Sequence, residues 1–80
     1  MWYVYVLKSE KSGHYYTGYT EDLKKRLNQH NSGKTKSLKA QLPVRVVCFE
    51  EFPNKQEAYR RERQIKSYKG GEAFRRLIKG

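Results

Sequence analysis

The chain has 80 residues and a formal net charge of +10, from 18 Lys and Arg against 8 Asp and Glu. A single domain of this length buries only roughly 60% of its unfolded surface, so a large core is excluded, and the charge favours a polyanionic partner, nucleic acid above all, with an anionic membrane surface as the competing reading. No segment approaches the ~20 apolar residues of a membrane span and no signal-peptide pattern is read. The single cysteine, Cys48, excludes an internal disulfide and fits a reducing, cytoplasmic compartment.

Trp2 to Leu7 alternates and is rich in Tyr and Val, which predicts a strand. Trp2, Val4 and Val6 fall on one face; Tyr3, Tyr5 and Leu7 fall on the other. Glu10-Lys11-Ser12-Gly13 is a turn, with Gly13 free to take positive φ. His14 to Tyr19 is the second strand, and the short link makes an antiparallel hairpin. Thr20 is positioned to cap a helix that runs to about His30, with Leu23, Leu27 and His30 as its inward stripe and Asn31-Ser32-Gly33 as its stop.

Residues 32–42 are polar and basic and read as a loop, with a weak helical turn near Leu38. Pro43 opens a third strand, Val44 to Phe49, extended by Glu50 and Glu51. The crossover needed to reach it leaves the pairing order open. Asn54, with Glu57 three residues on, resembles a capping box. It starts a helix running to about Tyr68 and stopped by Gly70-Gly71. Residues 72–78 form a short last helix. The order β-β-α-β-α-α implies an α+β fold in which a small three-stranded antiparallel sheet is flanked by helices.

Several residues could carry chemistry. Ala58, Glu62 and Ile65 are spaced i, i+4, i+7 and share an inward stripe. A carboxylate on that stripe must be paired, protonated or bound to a cation. Glu62 therefore either makes a salt bridge to Arg61, Lys66 or Arg26, or holds a hard divalent cation. Arg26 and His30 lie i, i+4 on the first helix and point the same way. The guanidinium is either a solvated charge or a bidentate phosphate ligand, and His30 is either a cap or core residue or a general base. Tyr5 and Tyr16 pack on the sheet, or lie near a metal or phosphate that lowers the phenol pKa enough to take a proton from water. Gly18 marks a close backbone approach, a bulge or simple packing. Lys24, Lys25, Lys34, Lys36, Lys39 and Arg61 lie in the basic clusters that favour salt-dependent binding to phosphates.

These residues together resemble the GIY-YIG endonuclease domain in its short single-domain bacterial form, UPF0213-like and related to the nuclease domain of the excision-repair subunit UvrC. Val4-Tyr5-Val6 resembles the first motif and Tyr16-Thr17-Gly18 the second. The segment from Leu23 through Arg26 and Leu27 to His30-Asn31-Ser32-Gly33 is similar to the family's first-helix pattern. Glu57-Ala58 through Glu62, Ile65 and Lys66 is similar to the helix with the metal-binding glutamate. The first motif lacks its Gly and the second has Thr for Ile. The polar residue, often Asn, that follows the metal helix in some larger members has no clear equivalent in Lys69-Gly70-Gly71-Glu72.

The resemblance implies a divalent-metal-dependent endonuclease hydrolysing phosphodiesters in DNA, or RNA. Structured or damaged DNA, in repair or recombination, is the expected target. Tyr5 or Tyr16, with His30 as a third candidate, would activate water. Arg26 would stabilise the phosphate, and Glu62 would hold one Mg²⁺ or Mn²⁺. Target choice would come from a protein partner or from nucleic-acid shape. A binding module that keeps the fold without turnover is the alternative.

Overall fold

A computed structural model describes residues 1–33 and 42–79 of the chain. Three strands, β1 (Trp2–Ser9), β2 (Tyr15–Thr20) and β3 (Val44–Phe52), and three helices, α1 (Leu23–Asn31), α2 (Lys55–Ser67) and α3 (Glu72–Lys79), follow in the order β1-β2-α1-β3-α2-α3. The sheet order is β2-β1-β3, with both pairings antiparallel. This is the expected α+β fold. The pairing order that the sequence left open is settled by the crossover through α1, which carries β3 to the far edge of β1.

Central position explains the composition of β1. Covered on both faces, it needs apolar side chains on both, and Val4, Val6 and Leu7 are each only 1% exposed. Val4 and Val6 pack with Ala58 and Ile65 of α2 and Phe74 of α3. On the opposite face, Tyr5, Leu7 and Val44 pack with Leu23 and Leu27 of α1. One helix therefore covers one face and two cover the other. A register irregularity follows Val6, which pairs with Cys48, whereas Leu7 pairs with Val46. Cys48 is half-buried against the Val4 cluster, and burial together with the nearby Glu50 pushes its thiol pKa up, away from nucleophilic chemistry.

The local signals have specific causes. The β1–β2 turn is held by Ser9, whose Oγ accepts from the Lys11 and Ser12 amides at 3.1 and 3.0 Å, while Gly13 takes φ +77°. Thr20 does not cap α1. It is the buried last residue of β2, and its Oγ1 accepts from the Asp22 amide at 3.2 Å. Two further residues are needed to turn the chain, so Asp22 becomes the N-cap, accepting from the Lys25 amide at 3.0 Å. Asn54 caps α2 as expected, accepting from the Glu57 amide at 2.9 Å. The helical turn expected near Leu38 lies outside the described residues.

Asn31, expected only to help end α1, has a second role. Its side chain donates to the Val44 carbonyl at 3.1 Å and accepts from the Val44 amide at 2.8 Å. This two-point clamp ties the end of α1 to the start of β3, one residue from His30. Asn31→Ala is expected to cost about 1–2 kcal/mol for the two half-buried bonds. A urea titration that leaves the midpoint unchanged would show the clamp to be unimportant.

Candidate active site

The site gathers around the Tyr5 phenol. Tyr5 is 5% exposed and lies at the centre of β1 on the α1 face. Its register partner on β2 is Gly18, and residues directly opposite in an antiparallel pair share a face. A Cβ at position 18 would stand 2.5 Å from the Tyr5 Oη and 2.7 Å from its Cζ. The phenol therefore lies across β2 in the space left by the missing side chain. Of the readings open for Gly18, close approach is the one observed, and the approaching group is a ring rather than backbone.

The Tyr5 Oη is 3.2 Å from Nε2 of His30, and both residues are buried. Burial, with the positive charge of Arg26, pushes the His30 pKa below its ordinary value, so the imidazole is neutral at neutral pH. One ring nitrogen then donates and the other accepts. Arg26 is exposed one turn earlier on α1. Its charge also acts on Tyr5, as does that of Glu62 from α2. Burial pushes the phenol pKa up, Arg26 pulls it down, and Glu62 pushes it up again; the net direction is upward. The protein's own groups thus oppose the lowering expected for this phenol, because burial penalises a phenolate more than one guanidinium helps it.

Glu62 is buried with Ala58 and Ile65 on the inward stripe of α2, as expected. Its Oε1 lies 3.5 Å from the Lys66 Nζ, and the lysine side chain is 56% exposed. Of the three cations considered for it, Lys66 is the partner. Arg61 instead makes a two-bond pair with Glu50 at 2.8 and 3.0 Å and donates to Gln64 and Tyr68. These contacts hold the Arg61 guanidinium against Glu50 of β3. Tyr16 sits opposite Leu7 on the Tyr5 face and lines a hollow with Thr17, Ile65, Lys66 and Lys69. Lys24 and Lys25 lie on the outer surface of α1, beside Asn28 and Ser32. Lys34, Lys36 and Lys39 lie outside the described residues.

The structure therefore brings Tyr5, Arg26, His30 and Glu62 into one electrostatic neighbourhood, with Gly18 as the space that admits Tyr5. Among the described residues no group of three His, Cys, Asp or Glu gathers to form a metal cage. The donor at hand is the Glu62 carboxylate, a hard oxygen ligand of the kind Mg²⁺ uses when water and substrate phosphate complete its shell. A group with these donors fits that ion.

A hairpin that pairs Tyr5 with Gly18 is followed by a helix with Arg26 and a helix with the buried Glu62. The family model for the GIY-YIG catalytic domain matches residues 1–72. The chain belongs to the GIY-YIG family. Within it, a UPF0213 protein of Streptococcus agalactiae is 51% identical over 65 residues, covering 80% of this chain and 73% of that one. A UPF0213 protein of Staphylococcus saprophyticus is 38% identical over 79 residues, covering 98% and 95%. The solution NMR structure of a UPF0213 protein from Bacillus halodurans superimposes with a TM-score of 0.61 at 37% identity, covering 99% of this chain and 84% of that one. Membership of the GIY-YIG family makes this a nuclease-family domain, and no helix among the described residues is long and apolar enough to cross a membrane.

Two features beside this site were not read from the sequence: the Asn31 clamp and the pairing of Gly18 with Tyr5. Counting the hairpin register from the turn would have found the second.

Two outcomes test the site. Gly18→Ala is expected to expel the Tyr5 ring and break its bond to His30, seen as loss of the shared NMR shifts of these two rings; an unchanged Tyr5–His30 pair would refute the close-packing account. Folding lowers the His30 pKa below its unfolded value of about 6.5. Its contribution to stability is therefore full above that value and is lost as the pH falls towards the folded pKa. His30→Gln is expected to flatten the acid limb of stability below about pH 6.5, and an identical limb in the variant would assign it to other groups.

Proposed function

We propose that this chain is a divalent-metal-dependent endonuclease that hydrolyses phosphodiester bonds in DNA. The observation that carries the reading is the Tyr5 Oη···His30 Nε2 contact of 3.2 Å with Arg26 and Glu62 acting on the same phenol. A core that needed only packing would place an apolar ring there and avoid the buried carboxylate.

Tyr5 with His30 forms a proton relay. Attacking water gives its proton to the Tyr5 oxygen as Tyr5 gives its own to the neutral His30. The phenol then never needs to ionise by itself, which suits its raised pKa. One P–O bond forms to the water oxygen, one P–O ester bond breaks, and the leaving oxygen takes a proton from solvent. Arg26, exposed at the rim, faces the charge that develops on the phosphate. Tyr16 orients the substrate from the adjoining hollow. Glu62 would hold one Mg²⁺ or Mn²⁺, which when bound would polarise the phosphate and compensate the leaving oxygen. Lys24 and Lys25, with Lys34, Lys36 and Lys39, supply backbone phosphate contacts.

The chain acts as one domain over residues 1–80, in the cytoplasm, on structured or damaged DNA in repair or recombination. A protein partner supplies further target choice. One observation favours a second reading, a nucleic-acid-binding module that keeps the nuclease fold: Lys66 already neutralises Glu62, as a purely structural ion pair would.

A labelled panel of single strand, duplex, flap, four-way junction and RNA, with Mg²⁺, Mn²⁺ or EDTA, separates the two. Cutting is expected with metal, absent in EDTA, and abolished in Glu62→Ala with binding largely kept. Tight binding without cutting under any metal would establish the second reading. Arg26→Ala is expected to lower turnover by about 10²–10³, as loss of a transition-state charge partner does. Near-normal turnover would reduce Arg26 to a surface charge.

A further inference from the structure

A ribbon of aromatic rings runs across the α2 side of the sheet and ends at Glu62. The Trp2 and Tyr19 ring centroids are 6.0 Å apart, and Tyr19 meets Tyr59 edge-on at 5.7 Å. Each end of the ribbon carries a cation. The Lys55 Nζ lies 5.7 Å from the Trp2 ring centre, and the Arg63 guanidinium lies 5.7 Å from that of Tyr59, where it also donates to the hydroxyl at 3.0 Å. Trp2 and Tyr19 are half-buried against the Val4 cluster, so core packing accounts for them. It does not account for Tyr59, which is 41% exposed. Tyr59 lines one hollow with Tyr19 and Lys55 and a second with Glu62 and Arg63. It is the shared wall between the ribbon and the catalytic carboxylate.

We propose that Tyr59, backed by Tyr19 and Trp2, is a stacking platform for an unpaired nucleobase, so that the chain engages single-stranded nucleic acid next to the scissile phosphate. Rings flanked by cations fit this occupant. A base offers a π-face to the ring, and its phosphate offers a negative charge to Lys55 or Arg63. An apolar protein surface would fit poorly, because covering the ribbon would strip water from both cations without pairing them. A paired duplex presents no free base face, so the platform discriminates by strand state rather than by sequence. The position next to the cut rests on the reading of Glu62 as the metal ligand. The platform itself rests only on the rings and their cations.

Trp2 is the single tryptophan of the chain, so its emission reports directly on the ribbon. Oligothymidylate titrated into the protein in EDTA is expected to quench Trp2, whereas a blunt duplex of equal total charge leaves the emission unchanged. By fluorescence anisotropy, Tyr59→Ala is expected to weaken oligothymidylate binding roughly 5- to 150-fold, the range for one base–aromatic stack, with little change for the duplex, and Tyr59→Phe to bind like the wild type. Equal losses for both substrates, no loss for either, or binding that leaves Trp2 emission unmoved would each overturn the proposal. Because the titration runs in EDTA and reads binding, it holds or fails independently of whether Glu62 supports cutting.

Discussion

The contact of the Tyr5 ring with the bare backbone at Gly18 is the constraint on which the site depends. The Cβ of any other residue at position 18 would meet the phenol oxygen at 2.5 Å, well inside van der Waals contact. With the glycine, the ring can lie flat over β2, and its hydroxyl reaches His30 on the helix packed above. That geometry also determines which groups govern the phenol. It lies deep enough to be desolvated, yet near enough to the sheet edge to sense Arg26 from one side and Glu62 from the other. The hairpin register that pairs Tyr5 with Gly18 thus shapes the site as well as the fold. A slip of one residue would turn the Tyr5 side of β1 away from β2's gap.

How much of this was legible follows from which signals are local. The strands and helices were readable because period-2 and period-3.6 patterns are written in adjacent residues, and the inward place of Glu62 followed from the Ala58-Glu62-Ile65 spacing alone. The N-cap at Asp22 was missed because Thr20, also a capping type, stands two residues earlier, and only the folded hairpin commits it to ending β2. The direction of the Tyr5 pKa was missed for a similar reason. The sequence reveals that a guanidinium is near, but burial, the larger influence, exists only after packing. The partners of Glu62 and Arg61 were ambiguous from spacing. Both arginine and lysine candidates lay within reach, and only the position of Glu50 on β3 drew Arg61 away.

Charge placement gives the surface a direction that net charge alone does not. Glu10, Glu50, Glu62 and Glu72 each lie within an ion pair. Glu21, Asp22 and Glu51 have no cation paired to them among the described residues, and all three line one hollow between α1 and the sheet, beside Tyr3 and Phe49. The exposed Lys55, Arg60, Arg63, Lys66 and Lys69 belong to α2 and the turn that follows it. These exposed cations favour a polyanion at α2 and the Glu62 hollow, where the aromatic ribbon lies.

Two carboxylate pairs on this same side of the sheet show what kind of burial the chain uses for each purpose. Glu50 is held by two charge-assisted bonds from a planar, half-buried guanidinium, a geometry that fixes both partners. Glu62 is more deeply buried but has a single contact at 3.5 Å from a lysine that is more than half exposed, and pairs of that kind contribute little and exchange readily with solvent. If Glu62 served only to anchor α2, the arrangement would be the wrong way round, with the costlier burial given the weaker partner. It accords with the proposed role, in which the carboxylate is desolvated enough to attract a small hard cation and is surrendered easily by its lysine, which also lines the hollow beside Tyr16.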